Sequence, residues 1–209
     1  MIEKRNPKIS PGVAYLPKES GDFNFPAELY YNSIWLYSLA QKMNKSKDDF
    51  LSSCYRRCAV QCAFSFFEAQ LNQICLAHAK THPDKIGEIE LDILEEKNTT
   101  INDKGKIIRK TRYYDTEARV SFLCLFLTGK EFDRNKKFWQ EFKKAKELRD
   151  KITHPKPPYE SSIISLSEVK HAIEFLRKIF VELSKIMAIN SPLWLKPVTR
   201  ILAEIEKED

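Results

Sequence analysis

The sequence predicts an all-α protein, a helical bundle that carries a small hairpin or loop insertion near residues 99–112. Apolar residues recur at helical spacing along most of the chain. Proline and capping residues fall where such helices should begin and end. Only 5 of the 209 residues are glycine, which excludes glycine-rich phosphate loops of the P-loop and Rossmann types.

Composition indicates one globular domain after a short lead-in. A hydrophobic fraction of 43% suits a packed core, and the chain is long enough to build one. Residues 1–25 contain three prolines and predict an extended lead-in, so residues 26–209 are predicted to form the helical domain. The polar N-terminus lacks a signal-like apolar run, and no apolar stretch could span a bilayer. We therefore expect a cytoplasmic protein with no membrane partner.

Two long helices are predicted in the N-terminal half of the chain. Pro26 suits the first turn of a helix over residues 26–43. Ser46 and Asp49 predict an N-terminal cap for a second helix over residues 47–80. This second helix is apolar around most of its circumference, so we expect it to lie at the centre of the bundle.

The middle of the chain changes character. His82-Pro83 should end the second helix, and a short helix is predicted over residues 84–96. Ile101 and Ile107 then flank the turn signal Asn102-Asp103-Lys104-Gly105, which predicts a small β-hairpin or an irregular loop.

The C-terminal half predicts four more helices. Asp133 is expected to cap the second of them, and Ser165 with Glu168 forms a capping-box pattern for the third. Ser191-Pro192 should separate the third from an amphipathic fourth. These helices are predicted over residues 115–127, 133–153 and 165–189, and beyond Pro197.

Basic residues are clustered. The net charge is +6, and lysine and arginine are dense in residues 134–151 and again in residues 104–112. Clustered positive charge favours a polyanionic partner such as RNA, although a solvated helix face would show the same pattern. The second cluster is predicted to hold RNA through Lys104, Lys106, Arg109, Lys110 and Arg112.

The strongest chemical signal is an arginine on an apolar helix face. A helical wheel places Phe138, Phe142, Ala145 and Ile152 on one stripe, with Arg149 in its middle. A guanidinium in that position must be paired, extend to solvent, or face a groove or a partner chain. We expect the stripe to face a groove or a second subunit.

A histidine follows at the end of the same helix. His154 precedes Pro155, which disfavours helical backbone at that residue, so the imidazole can turn back towards Arg149. Asp150 lies one helical turn before His154 and could orient the imidazole. The alternative is structural, because a histidine at a helix C-terminus also interacts favourably with the helix dipole.

Residues 148–154, Leu-Arg-Asp-Lys-Ile-Thr-His, resemble the signature of the HEPN superfamily. That signature is an arginine followed after four to six residues by a histidine, commonly with Asn, Asp or His directly after the arginine. The motif also lies late in a helical chain, before a long helix, and the architectural resemblance covers roughly residues 27–190. The resemblance implies a HEPN-like bundle. Some relatives carry a tyrosine two residues after the histidine, but this chain has Lys156 there, so that variant is not supported.

The resemblance implies a metal-independent endoribonuclease with no cofactor. His154 would assist attack of a ribose 2′-hydroxyl on the adjacent phosphate, and Arg149 would stabilise the charge that develops there. A homodimer would supply a second His154, because one histidine cannot easily act as base and acid together. Such an enzyme would suit a toxin or defence effector with a neutralising partner protein. The alternative is a non-catalytic helical module that binds nucleotide, RNA or protein.

A second polar row lies on the long second helix. It is either the narrow solvent face of that helix or a polar wall of the active groove, with Glu68 pairing with Arg149. The row consists of Arg57, Gln61, Glu68 and Asn72.

Metal sites have little support in the sequence. Cys54, Cys58 and Cys62 recur at helical spacing and are interpreted as buried, reduced thiols. His78 and His82 have the spacing of zinc ligands, but the glutamate of the HExxH motif is missing.

Overall fold

The computed structural model describes residues 24–81, 86–154, 164–187, 189 and 195–205. Within these ranges the chain forms seven helices and one two-stranded hairpin, which confirms the all-α class and the predicted insertion. The elements are α1 Phe25–Lys45, α2 Asp49–Thr81, α3 Glu88–Leu94, β1 Lys97–Ile101, β2 Ile107–Thr111, α4 Thr116–Thr128, α5 Lys137–Thr153, α6 Leu166–Ile186 and α7 Val198–Ile205. The predicted lead-in before Asn24 and the breaks at His82-Pro83 and Ser191-Pro192 lie outside the described residues.

The junction between α1 and α2 differs from the prediction at Ser46. Ser46 ends α1 instead of capping α2, and its Oγ donates a hydrogen bond to the Met43 carbonyl. Asp48 caps α2, because its Oδ1 accepts a hydrogen bond from the Leu51 N–H at 3.0 Å. Lys47 has a positive φ of 60°, and the second helix begins two residues later than the capping pattern suggested.

The helices around the motif begin and end close to their predicted bounds. Asp133 does not cap α5, because its carboxylate accepts from the Asn135 N–H in a turn that precedes the helix. Both reciprocal hydrogen bonds of the capping box at Ser165 and Glu168 are formed, as predicted. The last helical residue of α6 is Ile186, three residues before the predicted end.

Helix α2 lies at the centre of the bundle, as predicted, in contact with α1, α3, α4, α5 and α6. Its aromatic side chains pack against those of its neighbours: Phe66 meets Tyr30 and Phe180, and Phe67 meets Phe142. Each such side chain stabilises the fold by roughly 1.5–3 kcal/mol through burial. No helix in the described part of the chain is long and apolar enough to cross a bilayer.

The hairpin is antiparallel and projects from the bundle. Ile101 pairs with Ile107 next to the turn, and Gly105 adopts the positive φ of 71° that the turn requires. The Asn102 side chain accepts hydrogen bonds from the backbone N–H groups of Lys104 and Lys106. Because these hydrogen bonds join residues close in sequence, the local sequence was enough to predict the turn.

Candidate functional site

Arg149 lies on the core-facing side of α5 with 26% of its side chain exposed. Its guanidinium carbon is 5.3 Å from the centroid of the Phe64 ring on α2, which is within the range of a cation–π contact. One terminal nitrogen is 4.0 Å from Glu68 Oε1, also on α2. Arg149 therefore packs on the face of an aromatic ring, and its carboxylate partner on α2 lies beyond hydrogen-bonding distance.

The Nε atom of Arg149 has spare hydrogen-bonding capacity. It lies 3.1 Å from Asp150 Oδ1, yet it has no hydrogen-bond partner among the described residues. The Nε–H bond does not point towards the Asp150 carboxylate, so the two groups form an ion pair by distance but no hydrogen bond. This buried donor is left unpaired, so contact with an incoming anion would fall to the terminal nitrogens of Arg149.

His154 ends α5 and its side chain is exposed. Its backbone N–H donates to the Asp150 carbonyl at 2.9 Å, and its ψ of 62° takes the chain out of the helix. No described residue forms a hydrogen bond with the imidazole. The expected side-chain contact between Asp150 and His154 is not formed, because the Asp150 carboxylate lies against the guanidinium of the preceding residue.

The apolar stripe around Arg149 is covered by the chain itself. Phe142, Ala145 and Ile152 are buried, in a helix that contacts α2 and α6. The expectation that this stripe faces a second subunit or an open groove was therefore wrong. The periodic pattern marks a buried face, and it cannot distinguish burial by another helix from burial by another chain.

The predicted polar row on α2 divides into two parts. Arg57 bonds within its own helix, to Ser53 Oγ and Cys54 Sγ, and Gln61 is exposed. Glu68 and Asn72 instead contact residues of α4 and α5. Eleven residues separate Arg57 from Glu68, about 16 Å along the helix axis, so the row does not form one wall.

A polar cluster that the sequence did not reveal joins α4 to the site. Thr116 Oγ1 donates a hydrogen bond to Glu68 Oε1 at 3.1 Å. Lys146, one turn before Arg149 on α5, places its Nζ 2.8 Å from Asp115 and 3.4 Å from Glu117. Nothing local in the sequence indicated that Lys146 and Asp115 meet, so this contact was not predicted.

The pKa values of Asp115 and Lys146 reflect this contact. Partial burial alone would raise the pKa of Asp115, but hydrogen bonds from Lys146 and from backbone N–H groups outweigh it and lower the pKa below its usual value. The pKa of Lys146 is raised, chiefly by the hydrogen bond to Asp115. Both groups are therefore held in their charged forms.

A second arginine, on α4, is almost fully buried and contacts α2 one helical turn after Glu68. Arg119 of α4 donates to Asn72 Oδ1 at 2.6 Å, and its other terminal nitrogen is 3.1 Å from Glu96 Oε1. Cys75 Sγ also lies 3.7 Å from Arg119. Burial raises the pKa of the Cys75 thiol despite this cation. The cluster joins α2 and α4 to the base of the hairpin.

The five basic residues of the hairpin region differ in how free they are to contact an anionic ligand. Lys104, Lys106 and Lys110 are exposed and have no acidic partner among the described residues. Arg109 forms ion pairs with Asp92 and Glu95 of the neighbouring α3 segment. These ion pairs reduce the positive charge that the hairpin offers a polyanion.

Arg112 lies beyond the hairpin and contacts an aromatic ring. Its guanidinium carbon is 5.0 Å from the centroid of the Tyr114 ring. A guanidinium stacked in this way keeps its charge and much of its donor capacity. Arg112 therefore remains available to a phosphate.

Carboxylates outnumber cations around Arg149. Arg149 faces Glu68 and Asp150, and the nearby Lys146 faces Asp115 and Glu117. An anionic ligand at this site must therefore displace or screen a carboxylate, and Glu68 is the one that lies farthest from its cation, at 4.0 Å. The positive charge that could attract a polyanion lies instead on the hairpin and along the exposed side of α5.

Potential metal ligands are dispersed over the described ranges, where no three His, Cys, Asp or Glu side chains converge on one point. His78 packs edge-on against Phe126 with ring centroids 5.2 Å apart, and His82 lies outside the described residues. The prediction of buried thiols was wrong for Cys58, which is exposed, while Cys54 and Cys62 are half-buried. Burial, with the nearby Cys58, raises the pKa of Cys62.

No protein-family model matches this chain, and no curated protein or solved structure shows significant similarity to it. The resemblance to the HEPN superfamily therefore rests on residues 148–154 and on the helical architecture.

Proposed function

We propose that this protein is a metal-independent endoribonuclease whose reaction centre is formed by Arg149 and His154. The observation that carries the proposal is the state of Arg149. It is three-quarters buried on a core-facing helix surface, yet among the described residues its partners are a ring, a carboxylate at 4.0 Å and a poorly aligned Asp150. A purely structural arginine at that position would be expected to form shorter, better aligned hydrogen bonds.

The chemistry follows from the two side chains. The His154 imidazole accepts the proton of a ribose 2′-hydroxyl, whose oxygen attacks the adjacent phosphorus. Arg149 offers a planar set of donors to the phosphorane oxygens, on which negative charge increases. The P–O bond to the 5′-oxygen then breaks, leaving a 2′,3′-cyclic phosphate, and that oxygen takes up a proton. Asp150 would act as a positioning residue for Arg149.

A second copy of the chain completes this mechanism. The 5′-oxygen needs a proton donor at the moment that His154 holds the proton of the 2′-hydroxyl, and each chain contributes one such histidine. His154 is exposed at a helix end, so a two-fold axis near the end of α5 would bring two imidazoles to one cleft. The covered stripe of α5 would not be part of that interface.

Cleavage of RNA in the presence of EDTA tests the proposal. We expect the wild-type protein to yield products ending in 2′,3′-cyclic phosphate, and a 2′-deoxy residue at the scissile position to prevent cleavage. His154→Ala and Arg149→Ala should each reduce the rate by at least about 100-fold. His171→Ala is the matched control, because His171 is an exposed histidine on α6 and should leave the rate unchanged.

Mixing experiments test the second copy. If one cleft needs two His154 side chains, wild-type and His154→Ala chains unfolded and refolded together in equal amounts retain about a quarter of the activity of wild type at the same total concentration. Independent sites would retain about half. Loss of activity in EDTA with recovery on adding a divalent ion would contradict the metal-independent mechanism.

A non-catalytic RNA-binding module is the second candidate function. The observation that favours it is the absence of any contact between the His154 imidazole and Arg149 within the described part of the chain. RNA binding that depends on Arg149, with no cleavage product under any condition, would establish this alternative.

A further inference from the structure

The segment between the hairpin and α4 presents one open aromatic ring. Tyr113 is 84% exposed, more than any other large hydrophobic residue in the described ranges. The adjacent Tyr114 is half-buried, and the Arg112 guanidinium covers its ring at 5.0 Å. Neighbouring tyrosines thus have opposite states, one covered by a cation and the other open to solvent.

Tyr113 is held close to the Arg149 site. Thr116 lies three residues further along the chain and donates to Glu68 at 3.1 Å, and Glu68 is 4.0 Å from Arg149. Three residues span at most about 11 Å even when fully extended. The backbone of Tyr113 is therefore within roughly that distance of Thr116. The contact between Asp115 and Lys146 fixes the same segment to α5.

We propose that Tyr113 forms a base-stacking subsite for an unpaired nucleotide beside the reaction centre, and that the substrate is single-stranded RNA. This inference rests on the proposed function. An exposed tyrosine ring offers a π-face to a base, while nearby cations such as Arg112 and Lys110 contact the backbone phosphates. The bases of a duplex are already stacked on one another, so a duplex cannot use such a ring.

The experiment measures binding without cleavage. The His154→Ala protein is titrated into a single-stranded RNA containing 2-aminopurine, whose fluorescence reports stacking, and into the same strand annealed to its complement. Adding Tyr113→Ala should weaken single-strand binding by about 5- to 100-fold and remove the fluorescence change. Tyr113→Phe should bind within about twofold of the parent, because the stacking face is kept. Duplex binding should not change in either variant.

Phe50→Ala is the matched control. Phe50 is also an exposed aromatic residue, at 75%, but it precedes Phe64 by fourteen residues of α2, about 21 Å along the helix axis. Its replacement should leave single-strand affinity unchanged. If any exposed aromatic ring contributed to RNA binding, Phe50→Ala would weaken binding as Tyr113→Ala does, which would contradict a specific subsite.

The outcomes separate this inference from the proposed function. The subsite is disproved if Tyr113→Ala binds single-stranded RNA as tightly as its parent, if single strand and duplex lose affinity equally, or if the parent binds no single-stranded RNA. Tyr113-dependent binding by a wild-type protein that never cleaves would support the subsite and refute the nuclease. Cleavage that is unaffected by Tyr113→Ala would support the nuclease and refute the subsite.

Discussion

Two arginines reach the central helix α2 from neighbouring helices, and they are held in different ways. Arg119 of α4 contacts Asn72, and Arg149 of α5 contacts Glu68, one helical turn away. The Arg119 side chain is 6% exposed and has partners at 2.6 and 3.1 Å. The Arg149 side chain is 26% exposed, and its carboxylate partner on α2 lies at 4.0 Å.

The difference separates a cation that holds the fold together from one that can bind a ligand. Buried charge is costly unless it is fully paired, and the contacts of Arg119 with Asn72 and Glu96 meet that need. Arg149 reduces the cost by stacking on Phe64 and by partial exposure of its side chain, although its buried Nε has no hydrogen-bond partner among the described residues. The looser arginine is thus the better candidate for transient contact with phosphate.

The largest expected effect is on stability, when each arginine is replaced by methionine. Arg119→Met leaves Glu96 without its cation and Asn72 without its donor, so the free energy of unfolding should fall by about 3 kcal/mol or more. Arg149→Met keeps the contact with Phe64 and should cost under about 1 kcal/mol. Urea denaturation of both variants measures the difference. Equal losses would contradict the distinction between the two arginines.

A smaller effect is expected on RNA affinity when Glu68 is neutralised. Glu68→Gln removes the carboxylate that competes with phosphate for Arg149, so RNA should bind about three- to fivefold more tightly. The amide can still accept the hydrogen bond from Thr116. Glu147→Gln serves as the control, because Glu147 is an exposed carboxylate on the same helix as Arg149. Weaker binding by Glu68→Gln would show that the carboxylate supports the RNA site.

The sequence predicted one of these arginines and missed the other for a physical reason. Arg149 interrupts an apolar helical stripe, a local irregularity that a wheel reveals, and the central position of α2 made Glu68 a plausible partner. Arg119 and Asn72 are 47 residues apart, and no pattern within α4 singled out Arg119. Asn72 belongs to the predicted polar row of α2, but its contact with Arg119 depends on how α2 and α4 pack, which local patterns do not encode.

The helix caps and the burial of the α5 stripe show the same limit of local sequence patterns. The capping box at Ser165 was predicted because both of its hydrogen bonds are local. The end of α1 at Ser46 was missed because a serine suits a turn after one helix as well as the start of the next. Whether α5 is covered by its own chain depends on tertiary packing, so the stripe pattern could not decide it.

The smallest expected effect concerns the ion pair that fixes α4 to α5. A double-mutant cycle of Asp115→Asn and Lys146→Met should give a coupling of about 0.5–1 kcal/mol at neutral pH, because the Asp115 side chain is half exposed. Folding lowers the pKa of Asp115, so its contribution is present above the unfolded value of about 3.9 and is lost as the pH falls through the folded value. Unfolding measured in urea at pH 7 and near pH 2.5 should show a smaller coupling at the lower pH. A coupling that is equal at both would mean that packing of the lysine stem, and not charge, joins the helices. In that case the orientation of Tyr113 beside Arg149 would not depend on the state of Asp115.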